Sequence, residues 1–182
     1  MREVVINKSR LRLLVGDITT QDTDAVVNAA NSRLAPGGGV AGAIHTAAGI
    51  GLWNECSTLG GCKTGEAKIT LGYNLPNRYV IHTVGPVYSG TKDDPVLLRS
   101  CYINSLRLAD EKAINSVAFP ALSTGIFGYP LDAAAQVAVQ AISDYLCGDT
   151  RITLIGMILY NDMAYDAHVR VLDKLYPGKD MS

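Results

Sequence analysis

Ala25-Val26-Val27-Asn28-Ala29-Ala30-Asn31, followed after a short gap by Gly37-Gly38-Gly39-Val40-Ala41-Gly42-Ala43-Ile44-His45, is the stretch whose reading settles how this chain folds. Residues 25 to 30 are a short apolar run closed by a polar residue, the pattern of a strand buried on both faces. The glycines then open a helix of small residues over 40 to 48, and Gly49 and Gly51 mark its end. Gly37, Gly39 and Gly42 satisfy the spacing of a Rossmann dinucleotide turn. That turn passes directly from strand to helix, whereas Asn31 to Pro36 intervene here, so the spacing alone does not carry that reading. What survives is the physics. Glycines let backbone amides approach an anion, and an exposed helix N-terminus behind them adds about 0.3 to 1 kcal/mol.

Outward from this segment the chain alternates. Strand patterns are expected at 11–18, 67–73, 79–84, 116–122 and 152–160, and helical patterns at 95–112, 131–147 and 162–175. Leu97, Leu98, Cys101, Leu106 and Ala109 keep largely to one helical face. Strands alternating with helices predict an α/β fold with a mixed, mostly parallel sheet covered on both sides, and a ligand beyond the carboxyl ends of the strands. No internal repeat, linker or low-complexity stretch breaks this order, so residues 1–182 read as a single domain.

The composition fits one globular core: 182 residues, 48% hydrophobic, net charge −1. A charge so near zero gives no bulk attraction to nucleic acid, and a basic groove with stacking rings is missing, so RNA is not an expected partner. A bound polyanion would have to be held by local geometry. Cys56, Cys62, Cys101 and Cys147 form no CxxC pair and have no histidine at ligand spacing, so neither a metal nor another cofactor is expected. Without an apolar signal, membrane-spanning or lipidation pattern, the chain is expected to be cytoplasmic, with reduced thiols and no membrane contact.

A second loop, Ser123-Thr124-Gly125-Ile126-Phe127-Gly128, follows the strand that ends at Leu122. Two glycine loops in one small domain suggest a diphosphate, although either alone reads better as a tight turn of small residues. Phe127 favours a ligand, because an aromatic ring on an exposed loop tip is costly to leave wet. Asp17 closes the first long strand and can either accept from an exocyclic amine or cap the turn before Thr19-Thr20. Asn28 and Asn31, at odd spacing in an extended strand, fall on opposite faces. Asn31, nearer the glycine loop, is the candidate for ligand contact, and Asn28 is assigned to backbone groups of a neighbouring loop. His45, four residues after Ala41, either orients water or is a packed, hydrogen-bonded residue. His82, inside a strand, is read as structural.

Six ordered segments together resemble the macrodomain family and its MacroD-like branch: Gly16 to Thr19, Asn28 to Asn31, Gly37 to His45, Thr64 to Ala67, His82 to Pro86 and Ser123 to Pro130. The resemblance runs from about residue 11 to 175. It implies a three-layer α/β/α fold that binds ADP-ribose and acts as a monomer. By position, Asp17 and the Ile18 backbone would hold adenine, Asn31 the distal ribose, and Gly38, Gly39 and Val40 the first phosphate. Ser123, Thr124, Gly125, Ile126 and Phe127 would form the second phosphate loop, and Tyr160 and Asn161 would pack the adenine. Enzymes of this branch remove ADP-ribose from acidic side chains of proteins and deacetylate O-acetyl-ADP-ribose. An aspartate usually stands there to activate water, and Ala41 occupies its position. Loss of such a base costs about 10² to 10⁴ in rate while sparing binding. The resemblance therefore implies either a weakened hydrolase, with Asn31, His45 and a substrate phosphate left to place the water, or a non-catalytic reader of ADP-ribosylated protein.

Overall fold

The computed structural model describes residues 1–178. Strands β1 (Arg2–Ile6), β2 (Ser9–Val15), β3 (Ala25–Ala29), β4 (Ala67–Leu71), β5 (Tyr79–Thr83), β6 (Ser116–Phe119) and β7 (Leu154–Leu159) form one sheet. Its helices are α1 (Gly39–Ala48), α2 (Ile50–Cys56), α3 (Asp93–Glu111), α4 (Leu131–Leu146) and α5 (Asp162–Leu175). The strand order is β1-β2-β7-β6-β3-β5-β4. The five strands β2, β7, β6, β3 and β5 run parallel, and the two edge strands β1 and β4 are antiparallel to their neighbours.

Alternation along the strands builds the three layers. Ala25 and Val27 of β3, Ile81 of β5, Val117 and Phe119 of β6, and Ile155 and Met157 of β7 join one core with α3, α4 and α5. Their neighbours Val26, Val80, Ala118 and Ile158 join a second core with Ile44, Ala48, Leu52 and Cys56 of α1 and α2. In α3, Leu98, Cys101, Tyr102, Ser105, Leu106 and Ala109 are buried at helical spacing. The Tyr102 and Phe119 rings meet at 5.2 Å in the larger core. Burying one such ring contributes about 1.5 to 3 kcal/mol.

Two elements escape the sequence reading. β1 pairs with β2 through a tight turn in which Asn7 takes a φ of 58°, without the glycine that usually signals a hairpin. Gly49 does end α1, with a φ of 82°, but α2 begins at the next residue. Several expected strands are also shorter than predicted. β2 stops at Val15 because residues 18–20 wind into a 3-10 turn, and β6 stops at Phe119 because Pro120 has no N–H to donate.

His82 is structural, as expected, and sits fully buried between Asn28 and Thr70. Asn28 Nδ2 donates to His82 Nδ1 at 3.1 Å, which leaves the ring proton on Nε2, 2.9 Å from Thr70 Oγ1. Asn28 therefore supports a histidine ring and not the backbone of a nearby loop. Burial, with His45 nearby, pushes the His82 pKa from 6.5 down to about 3. His45 and His168 are likewise lowered by burial. Between the two His82 values the unfolded chain holds more protons than the folded one, so stability is full above about pH 6.5 and falls as the pH drops towards 3. Urea denaturation between pH 6.5 and 5, above the range where carboxylates titrate, should lose at least about 1 kcal/mol per pH unit. A flat profile there would show that these rings are not held neutral.

Candidate functional site at the carboxyl ends of the strands

Because the five central strands are parallel, the turns after β2, β3, β5, β6 and β7 all leave the sheet at one end, and the sequence-selected site residues lie on the turns after β2, β3, β6 and β7 or in α1, which follows the turn after β3. Asp17 is exposed just beyond β2. Its Oδ1 accepts from the Thr19 amide at 2.8 Å and the Thr19 hydroxyl at 2.7 Å, and these bonds hold its pKa below the usual carboxylate value. The capping role is thus real, yet it uses one oxygen, and Oδ2 has no hydrogen-bond partner among the described residues. Gln21, which the sequence did not single out, fixes this corner by donating to the Asp17 carbonyl at 2.8 Å. The Ile18 side chain is buried in the smaller core, so only its backbone faces outward.

In the loop after β3, Asn31 lies beyond the strand end, so the opposite-face argument does not apply to it. Its Nδ2 donates to the Ala35 carbonyl at 2.8 Å and its Oδ1 accepts from the Ala35 amide at 3.0 Å. These bonds close the turn that delivers Gly37 to α1. A Cβ on Gly42 would lie 2.4 Å from the Gly37 carbonyl, so the helix can pack this tightly on its own loop only with glycine there. Gly39 has a φ of 57°. The N-terminus of α1 has no acidic residue in its first turn and no side-chain cap, so its leading amides are open to an anion.

Ala41 and His45 share the buried face of α1 with Ile44 and Ala48. His45 is 7% exposed, and neither ring nitrogen has a hydrogen-bond partner among the described residues. It is packed as the structural reading required, but it is not hydrogen-bonded. Its ring stands 6.4 Å from that of His82.

The loop after β6 holds Ser123 at a φ of 66°, with Thr124 Oγ1 donating to the Ala121 carbonyl and the Gly128 amide to the Gly125 carbonyl. Phe127 is half-buried, and the residue at the wet tip is Ile126, 98% exposed. Phe127 is thus not at the exposed tip that the sequence suggests, since burial within a loop carries no periodic signature. Beyond β7, Tyr160 is 84% exposed, its ring available for stacking. Asn161 Oδ1 caps α5 by accepting from the Ala164 amide at 2.8 Å, so that oxygen serves the helix.

Thiol and metal chemistry find little footing. Burial raises the Cys56 and Cys101 pKa to about 11, which keeps both protonated. Among the described residues no cluster of histidine, cysteine or carboxylate groups has the arrangement to hold a metal ion. A polar cavity of about 370 Å³, lined by Arg107, Asp110, Tyr145 and Arg151 among others, opens at the far ends of α3 and α4, and Asp110 there is already bonded to Tyr145 and Thr150.

A three-layer α/β/α protein with two glycine loops at the same end of its parallel strands is the class that fold and site define. The Macro domain family matches residues 27–138, and the chain belongs to that family. It is 47% identical over 171 residues to a Macro domain-containing protein of Methanosarcina mazei, covering 93% of this chain and 91% of that one. It is 54% identical over 139 residues to the ADP-ribose glycohydrolase MACROD1 of Bos taurus, covering 75% of this chain but only 43% of that protein. Among solved structures, the Oceanobacillus iheyensis macrodomain with ADP superposes with a TM-score of 0.92 at 40% identity, covering 95% of each chain. The Trypanosoma brucei macrodomain in complex with ADP-ribose gives 0.84 at 40% identity, covering 89% of this chain and 68% of that one.

If Asn161 works for the fold, Asn161→Ala should lower the unfolding free energy by about 1 kcal/mol, and Asn161→Asp should largely keep it. Chemical denaturation of the three proteins checks this; no loss in the alanine variant would show that the cap adds nothing to stability.

Proposed function

We propose that this chain binds ADP-ribose across the two loops and is built on an ADP-ribosyl-ester hydrolase scaffold. Its expected substrates are proteins ADP-ribosylated on acidic side chains, and O-acetyl-ADP-ribose. One observation carries the reading. Gly38 and Gly125 have neither a left-handed φ nor, among the described residues, any atom within 4 Å of where a Cβ would stand, so no contact there requires them to be glycine. Bare backbone at both sites leaves room for something outside the chain to approach the amides, as a diphosphate would. Gly38, Gly39 and Val40 then take one phosphate, and Ser123 to Phe127 the other phosphate and the distal ribose. The spare oxygen of Asp17 takes the adenine amine, with Tyr160 against the base. The names and bound ligands of the relatives point the same way. We place the protein in the cytoplasm as a monomer.

Calorimetric titration tests the binding. ADP-ribose should bind more tightly than AMP, which lacks the second phosphate and distal ribose, than ADP, which lacks the distal ribose, and than NAD, whose nicotinamide occupies the anomeric position of that ribose. Equal affinity for AMP and ADP-ribose would refute use of the distal half.

The chemistry turns on Ala41. A methyl group can neither accept a proton nor orient water, and burial lowers the pKa of the neighbouring His45 imidazole, which makes it a weaker base. Ala41→Asp should therefore raise turnover of mono-ADP-ribosylated protein by about 10² to 10⁴ with little change in ADP-ribose affinity. Equal rates in the two proteins would show that this position takes no part in the reaction. The same observation favours a second reading, a non-catalytic reader; that reading stands if ADP-ribose binds and no turnover occurs over hours.

A further inference from the structure

The segment that leaves β5, Val84 to Thr91, has no role in the reading above, yet it is joined to the second loop at both of that loop's ends. Ser123 opens that loop in a left-handed conformation that side chains other than glycine seldom adopt. It is 6% exposed, and its Oγ has no hydrogen-bond partner among the described residues. What lies against that hydroxyl is Gly85. A Cβ there would stand 2.2 Å from Ser123 Oγ and 3.4 Å from Ser123 Cβ. No left-handed φ demands glycine at 85, and the close approach a side chain there would meet is the Ser123 hydroxyl, which it would have to displace.

The other end of the loop is tied to the same segment. The Tyr88 amide donates to the Phe127 carbonyl at 2.9 Å, and the Tyr88 and Tyr129 rings meet at 5.1 Å. The segment is in turn rooted on α3. The buried carboxylate of Asp94 accepts from the Ser89 amide at 2.9 Å, the Ser89 hydroxyl at 2.8 Å and the Gly90 amide at 2.7 Å.

We propose that residues 84–91 are a brace that sets the conformation of the second loop, with Gly85 and Tyr88 as positioning residues for the diphosphate and distal-ribose half of the ligand. This rests on the ADP-ribose reading. The adenine end is insulated from the brace, because β7, β6 and β3 separate β2, which carries Asp17, from β5.

The test is titration of ADP-ribose and of AMP into the full chain and its variants. Gly85→Ala should weaken ADP-ribose about tenfold or more and AMP by less than about twofold. In a Ser123→Gly background, which removes both Oγ and Cβ, Gly85→Ala should cost almost nothing, a coupling that general loosening of the fold would not produce. Tyr88→Ala, at a partly exposed position, should show the same selective loss and carries the test if Gly85→Ala does not fold. Equal losses on both nucleotides, no loss on either, or a Gly85→Ala penalty undiminished beside Ser123→Gly would overturn the brace. If the wild-type chain itself fails to bind ADP-ribose, the ligand reading falls and the brace is judged without ligand. Gly85→Ala or Tyr88→Ala should then speed amide exchange at residues 124–128 selectively, and unchanged exchange would overturn it.

Discussion

Parallel pairing of five strands buried on both faces is the constraint on which the rest of the molecule depends. A parallel strand cannot be joined to its neighbour by a tight hairpin, so each must be continued by a crossover that covers the sheet. That requirement creates the two helical layers and sends the turns after all five central strands to the same end of the sheet. It also decides where backbone groups are left without partners. α5 satisfies its own N-terminus with Asn161 and Asp162, whereas α1 starts on bare glycines with neither cap nor carboxylate. An anion is the missing partner that electrostatics would choose there.

Buried polar groups hold this end of the sheet in register. Asn28 on β3, His82 on β5 and Thr70 on β4 form one hydrogen-bonded line across three neighbouring strands, with a neutral imidazole at its centre. Asp94 shows the opposite balance. Burial alone would raise its pKa, but hydrogen bonds from Ser89, Gly90 and Thr91 outweigh that effect and bring it below the usual carboxylate value. The α3 end of the loop after β5 is thus organised around a carboxylate that stays charged at neutral pH.

The legible part of this sequence was its periodic part. Val26 and Val27 face opposite cores because strand alternation puts them there, and helices α3 to α5 follow the apolar stripes that announce them. The loops gave up their residue types but not their orientations. Asn31, Asp17 and Ser123 all lie at the expected end of the sheet, yet the engagement of Asn31 with Ala35 and of Asp17 with Thr19 depends on turns that no spacing reveals. Phe127 is half-buried where an exposed tip was expected, and Ile126 holds that tip, for the same reason. The contact between Gly85 and Ser123 joins residues 38 positions apart, and only the motif around His82 hinted that this stretch mattered.

The measurement that reaches the central claim most directly is a crystal structure of this chain soaked with ADP-ribose. The account requires the diphosphate to lie between the amides of Gly38 to Val40 and those of Ser123 to Phe127, with adenine at the Asp17 corner and the distal ribose towards Asn31 and Phe127. Electron density for the nucleotide in the reverse orientation, or none at that end of the sheet at saturating concentration, would contradict it.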